Sequence, residues 1–316
     1  MGAAHLVSTQ WLQEHLEAPG LRVLDCTTYM TPQPIGASLI TSGRPRWLTA
    51  RIPGSVHVCM VEDLSDPQGR FPYTLPTADA LRRRLADLGL SPDQHLVLYG
   101  ASHPMVVSRA WWVFTALGWP QVSVLDGGWA AWEAENRPID RTPKASDARR
   151  DAASDAALQS ASHSGSPAPA VAADSASDSV KGPDVARCVD AHGVAQAMDR
   201  GSAWLVNALS TEQFAGTGGS HYGRPGRIPG SLSLPARDLV TADTARWLGP
   251  DQVRERAAQA GLVNDGRPVI VYCGGGIAAT ATAFALERAG WSEVKVYDNS
   301  LLEWSADPER PMLVGS

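Results

Sequence analysis

Cysteine is scarce in this chain. Cys26, Cys59, Cys188 and Cys273 form no C-x-x-C and fall at no metal-ligand spacing, so neither a metal site nor a disulfide framework is expected. The histidines, among them His57, His103 and His221, are scattered rather than grouped. No run of 18 apolar residues occurs, and the opening "MGAAHLVSTQWLQEHLEAPG" lacks a basic stretch followed by an apolar one. The sequence therefore predicts no membrane span, no secretory leader and a cytoplasmic protein with reduced thiols. Charge of one sign is not concentrated either: the net −6 is spread without long runs, which argues against a nucleic-acid or membrane-surface partner.

What is present is ordinary soluble composition, 44% hydrophobic and 19% charged, over 316 residues, a length that suits two domains. Residues 141–186 stand apart. They are rich in Ala, Ser, Asp and Pro, contain no aromatic residue, and cannot bury enough apolar surface to offset chain entropy. A disordered linker is expected there, between domains at 1–140 and 187–316.

The two halves repeat each other. "ARIPGSVHV" answers "GRIPGSLSL", and "HLVLYGASHPMVVSRAWWVFTALGWPQVSVLDGGWAAW" answers "PVIVYCGGGIAATATAFALERAGWSEVKVYDNSLLEW". Helix patterns at "ADALRRRLADLGL" and "PDQVRERAAQAGL" also correspond. Short apolar runs alternating with helices predict an α/β protein, each half a mostly parallel central sheet flanked by helices. In the repeat Tyr99 aligns with Tyr272, so Gly100 takes the place of Cys273. Only the second half carries the cysteine.

"YCGGGIAAT" follows the apolar run "PVIV" and precedes a helix pattern beginning near Ile277. A strand–loop–helix of this kind places the Cys273 sulfur at a helix N-terminus, where the amides of Gly274, Gly275, Gly276, Ile277, Ala278 and Ala279 can form an anion-binding nest and favour thiolate. Three glycines suit a loop in which no side chain shields the sulfur. The competing reading, a buried cysteine beside a plain glycine turn, is disfavoured by the repeat. A C-x5-R phosphatase needs arginine six residues after the cysteine, where this chain has Ala279 followed by Thr280. The remaining chemistry is a nucleophilic thiolate able to hold a transferred sulfur.

With "RIPGS" in both halves, "LDGGWAAW", "VYDNSLLEW" and the six-residue loop Cys273–Ala278, the chain resembles the two-domain rhodanese-like sulfurtransferases, which include thiosulfate sulfurtransferase and 3-mercaptopyruvate sulfurtransferase. The resemblance covers nearly everything but the linker. It implies a persulfide on Cys273, ping-pong transfer from a small-molecule donor to a thiol or cyanide acceptor, no cofactor, and a face-to-face pair of domains, hence a monomer. The alternative is a persulfide-carrier or anion-binding module with little small-molecule turnover.

The departures from the family pattern are specific. Thiosulfate-type members carry basic residues where this chain has Gly274 and Gly275. Mercaptopyruvate-type members have serine and threonine where it has Gly275 and Ala278, and a first-domain histidine where it has Phe71. Gln213 replaces the arginine before Phe214, and Asn207 the strand-end aspartate. Arg224 and Arg227 are the nearest candidate anion contacts, Arg227 also matching Arg51 as a structural residue. Trp111, Trp112, Trp119, Trp129 and Trp132 are expected in the core or domain interface, with Trp304 lining the cleft and His221 reaching it.

Overall fold

The structure, a computed structural model, describes residues 5–143 and 187–315. All but the first three residues of the expected linker lie outside the described residues. The first half runs β1 (His5–Val7), α1 (Thr9–His15), β2 (Leu21–Asp25), β3 (Thr28–Thr31), β4 (Leu39–Ser42), α2 (Arg44–Thr49), β5 (Val56–His57), α3 (Ala78–Ala86), β6 (His95–Tyr99), α4 (Pro104–Ala116), β7 (Val122–Leu125) and α5 (Gly128–Ala134). The second runs β8 (Cys188–Val189), α6 (Ala191–Arg200), β9 (Trp204–Asn207), α7 (Thr211–Ala215), β10 (Leu232–Ser233), α8 (Pro250–Gln259), β11 (Val269–Tyr272), α9 (Ile277–Arg288), β12 (Val294–Tyr297) and α10 (Ser300–Trp304).

Each half forms one five-stranded parallel sheet, in the orders β1-β7-β6-β2-β5 and β8-β12-β11-β9-β10. The identical orders confirm the repeat read from the sequence. Strands such as "VSVL" and "VIVY" are buried at every position, as parallel strands covered on both faces require. Hydroxyl and carboxylate caps start the helices: Thr77 accepts from the Ala80 amide and Asp190 from the Gly193 amide.

The repeated motifs meet in the same way in both halves. The Tyr99 hydroxyl lies 3.1 Å from Ser55 Oγ and accepts from the Ile52 amide, tying "RIPGS" to the end of β6. Tyr272 repeats this with Ser231 at 2.8 Å and the Ile228 amide at 3.0 Å. The hairpin of β3 and β4 belongs to the first half. There Ser42, His57 and Asp25 form a hydrogen-bonded chain with the look of a hydrolase triad, but all three are buried, and the chain staples the hairpin to β2.

The halves meet along α4 and α9. Trp111 packs edge-on to Phe284 with ring centroids 4.9 Å apart, and Trp247 reaches the same ring at 4.6 Å. Ser108 Oγ lies 3.2 Å from Thr280 Oγ1. Tryptophan therefore serves packing, as expected, and buries large apolar area at the seam. Trp304 departs from expectation. It is fully buried in the second half, its indole donating to the Pro311 carbonyl, and does not line the cleft. Two loops held in left-handed conformations, at Tyr73 (φ 67°) and Ala245 (φ 51°), cross between the halves. Beyond each, an amide donates to the aspartate ending the partner half's last strand: Leu75 to Asp298 and Trp247 to Asp126.

Candidate active site

Cys273 stands directly after β11, whose four residues are apolar or aromatic and wholly buried, and α9 begins at Ile277 as the sequence predicts. Its backbone is fixed from three directions. The Cys273 amide donates to Ser300 Oγ at 3.0 Å, and its carbonyl accepts from the Leu301 amide at 3.2 Å. The Gly274 carbonyl accepts from the Leu302 amide at 2.9 Å. The opening turn of α10 thus holds the loop's carbonyls, while the first amides of α9 have no intrahelical acceptor and remain able to meet an anion.

Ser300 is a residue that sequence reasoning missed. It is buried and sits at φ +50°, uncommon for any side chain other than glycine. Its hydroxyl donates to the Tyr297 carbonyl, accepts from Cys273, and lies 4.0 Å from Cys273 Sγ. Strain of this kind persists where surrounding bonds over-determine it.

The three glycines meet three different neighbours, the one at Gly275 being the movable tip of a leucine. A Cβ on Gly274 would fall 1.9 Å from Tyr222 Cζ, and one on Gly275 would fall 2.9 Å from Leu302 Cδ1. Gly276 has φ +82°, and a Cβ there would come within 2.3 Å of the Asp298 carbonyl oxygen. The expectation that no side chain shields the sulfur is therefore corrected. Tyr222 and Leu302 close over the loop, and Cys273 is only 2% exposed. The loop is glycine-rich because its neighbours occupy the space.

The first half supplies the other wall. Arg109, fully buried on α4, donates to the Gly276 carbonyl at 3.2 Å, pairs with Asp298 at 2.5 Å, and donates to the Tyr73 carbonyl. Its guanidinium stacks over Trp112 at 4.7 Å. An arginine in the largely apolar run "VVSRAWWVF" was the visible signal of a buried polar contact. Tyr73 packs beside the loop with its hydroxyl donating to the Ser38 carbonyl at 2.7 Å, and burial raises its pKa. Burial, then the nearby Cys273, pushes Tyr222 up to about 12.

A cavity of about 280 Å³ lies on the other side of Tyr222 and Leu301, lined also by Gln213, Gly219, His221 and Arg224 among others; no residue of the loop itself lines it. His221 also reaches the first half, exchanging backbone hydrogen bonds with Pro34 and Gly36. The candidate arginines spend donors on backbone carbonyls, mostly of the C-terminal segment. Arg227 donates to Phe214 and Gly315 and stacks on the Phe214 ring at 4.3 Å. Arg224 donates to Ser305 at 3.0 Å and to Trp304 and Asp307 through Nη2.

Gly100 occupies the matching position in the first half, its carbonyl accepting from the Trp129 amide as that of Cys273 accepts from Leu301. Arg246 of the second half lies against Gly127 there, pairing with Asp126 and Glu135. Cys26 and Cys59 are buried, and burial raises both thiols, Cys59 to about 11. Phe71 lies on the loop leading to Tyr73, its carbonyl accepting from Thr74. No group able to hold a metal is found among the described residues, and no helix among them is long and apolar enough to cross a membrane.

Known proteins share this fold and are similar in sequence. The 3-mercaptopyruvate sulfurtransferase of Escherichia coli is 27% identical over 318 residues, covering 99% of each chain. The thiosulfate/3-mercaptopyruvate sulfurtransferase 1 of Arabidopsis thaliana is 26% identical over 313 residues, 97% of this chain and 77% of that one. The crystal structure of SseA from Escherichia coli superposes with a TM-score of 0.71 at 24% identity, covering 94% of this chain and 98% of that one, a likeness of fold. The profile of the rhodanese-like domain matches twice, at residues 8–135 and 190–307, and the chain belongs to the rhodanese-like family.

Proposed function

We propose that this chain is a sulfurtransferase that carries a sulfane sulfur on Cys273, as a persulfide, from a small-molecule donor to a thiophilic acceptor. The observation that carries the reading is the setting of Cys273: a cysteine at the end of a parallel strand, before the amides that open α9, in only one of two otherwise matching halves. In the first half-reaction the Cys273 thiolate attacks the outer sulfur of the donor. With thiosulfate the S–S bond breaks and sulfite leaves; with 3-mercaptopyruvate the C–S bond breaks and pyruvate leaves after gaining a proton. In the second, cyanide or a thiol attacks the outer sulfur and Cys273 is regenerated. The loop amides are pre-aimed dipoles for the sulfur anion, which costs no reorganisation during the reaction.

Two features favour 3-mercaptopyruvate over thiosulfate. The loop carries no cation, and Tyr222 fills the space a basic side chain at position 274 would need. The relatives named for 3-mercaptopyruvate match along nearly their whole length. Arg224 remains the candidate contact for a donor carboxylate. It lines the cavity behind Tyr222, and its Nη1 has no protein partner among the described residues. Arg227 is better suited to holding the chain end. The domain division at 1–140 and 187–316, the first half as scaffold, the absence of a cofactor and a monomeric state complete the proposal.

A carrier with little turnover on small donors is the second reading, favoured by the enclosed sulfur and the absent histidine and arginine at Phe71 and Gln213. Intact mass spectrometry separates the two. The reduced protein and Cys273→Ser are exposed to each donor and then to cyanide. Transfer predicts a one-sulfur gain that requires Cys273 and is discharged by cyanide. No gain from either donor overturns it and leaves the carrier.

A further inference from the structure

Breaking a carbon–sulfur bond leaves a carbanion equivalent that must be protonated, and the loop offers few groups able to do this. The Ser300 hydroxyl proton is given to the Tyr297 carbonyl, and that of Thr280 to the Ile277 carbonyl. Tyr73 gives its proton to Ser38, and Tyr272 gives its own to Ser231. Tyr222 differs. Its hydroxyl donates to no protein acceptor among the described residues, and the oxygen is not sealed from solvent as the buried unpartnered atoms are.

The placement of Tyr222 is equally specific. The ring lies against the bare α-carbon of Gly274, the residue following the nucleophile. The three ring atoms nearest to where a Cβ would sit are Cζ and its two neighbours, at 1.9, 2.2 and 2.4 Å. The hydroxyl-bearing end of the ring is therefore the end pressed on the loop. The phenol also senses Cys273 electrostatically, and Gln213 approaches its oxygen from the cavity side. Burial and the cysteine hold its pKa up at about 12, so the phenol keeps its proton at neutral pH until a stronger base forms beside it.

We propose that Tyr222 is the proton donor to the leaving group when the sulfur is taken from carbon, the donors being α-keto thiols of the 3-mercaptopyruvate type. The assignment rests on the sulfurtransferase reading above. As the Cys273 Sγ–S bond forms, the C–S bond breaks and its electron pair passes to the enolate of pyruvate. The phenol proton moves to the methylene carbon, completing the methyl group. The new Cys273–S–SH, more acidic than a phenol, returns the donor's own thiol proton to the Tyr222 oxygen. Cys273–S–S⁻ and neutral Tyr222 result, with no outside oxidant or reductant. Donors whose leaving group is already a stable anion, such as thiosulfate releasing sulfite, make no demand on the phenol. Tyr222 would then take the place of the absent first-domain histidine and loop serine.

The test is single-turnover persulfide formation on wild type and Tyr222→Phe, with 3-mercaptopyruvate in one arm and thiosulfate or inorganic tetrasulfide in the other. The phenylalanine ring keeps its packing on Gly274 while losing the proton. The expected result is a fall of about 10²-fold or more with 3-mercaptopyruvate, the usual size of a general-acid contribution, against a change within about threefold in the carbon-free arm. The solvent deuterium isotope effect on the 3-mercaptopyruvate step should also disappear in the variant. An equal loss in both arms would make Tyr222 a packing residue and overturn the assignment, as would an unchanged 3-mercaptopyruvate rate. If wild type forms no persulfide with any donor, the sulfurtransferase reading itself has failed, a result distinct from both.

Discussion

Arg109 and Asp298 form an ion pair at 2.5 Å across the domain seam, and the same guanidinium nitrogen donates to the Gly276 carbonyl 3.2 Å away. A residue of the cysteine-free half thereby sets the position of the loop in the other half. Arg109 is a positioning residue: it touches the backbone of the loop that carries Cys273.

Arg109→Met should therefore slow persulfide formation on Cys273 while also lowering stability. Removing one member of a buried pair leaves the other charge uncompensated, typically costing about 3–5 kcal/mol. Arg109→Lys keeps the charge but not the fork to Gly276, Asp298 and Tyr73, so it should recover melting temperature more than rate. Equal recovery of both would show that Arg109 acts through stability alone.

Gly274→Ala places a Cβ inside the Tyr222 ring, and the ring must leave. Persulfide formation should fall sharply. The double variant Gly274→Ala/Tyr222→Ala should regain part of the thiosulfate reaction, because the clash has been removed. Failure of the double variant to exceed the single one would mean that the methyl group harms the loop by another route.

Ser300→Ala and Ser300→Gly separate hydrogen bonding from backbone strain. Both leave the Cys273 amide without its acceptor, a cost of about 1–3 kcal/mol for a buried donor. Glycine tolerates φ +50° where alanine does not, so Ser300→Gly should be the more stable by about 1 kcal/mol in denaturant unfolding. The reverse order would show that the left-handed backbone is not maintained without the hydroxyl.

Glu287 predicts a pH dependence of stability. Burial raises its pKa from 4.5 to about 7, and Arg187 offsets only part of this. Between those values the folded protein holds a proton that the unfolded chain has released. Its contribution is thus complete below pH ~4.5 and is lost as pH rises through about 7. Glu287→Gln should flatten the slope of unfolding free energy over that window, and an unchanged slope would assign the dependence to other groups.

Gly100→Cys should not create a second active site. Its Cβ would meet Val107 Cγ2 at 2.9 Å, and Arg246 already lies against the neighbouring Gly127 turn. Mass spectrometry of the Gly100→Cys/Cys273→Ser protein should show no added sulfur after exposure to donor.

Much of this was legible in the sequence because it depends on local pattern. Apolar runs of four or five residues between helix periods specify a parallel sheet, and the internal repeat specifies two of them. "YCGGGIAAT" after "PVIV" places a cysteine between a strand and a helix N-terminus, and the first half's glycine at the same point singles out the second half as the candidate reactive one. Arg227, matched by Arg51, was readable as structural for the same reason. Misreadings occurred where a residue's role depends on a partner far away in the chain. Trp304 looked like a cleft residue and is core, because Pro311 and the second-half sheet enclose it. The three glycines looked like an open loop, and they are a mould around Tyr222, Leu302 and the Asp298 carbonyl.

By itself the sequence determined the fold, its duplication and the candidate nucleophile, since periodicity, turn chemistry and a cysteine present in only one of two matching loops act over short stretches of chain. Only the tertiary structure decided what surrounds that sulfur. Arg109, Tyr73, Tyr222 and Ser300 lie 164, 200, 51 and 27 positions from Cys273 in the sequence. They converge there only when the two sheets dock through α4 and α9 and the Tyr73 loop crosses the seam, because long-range packing, and no local propensity, brings such groups together.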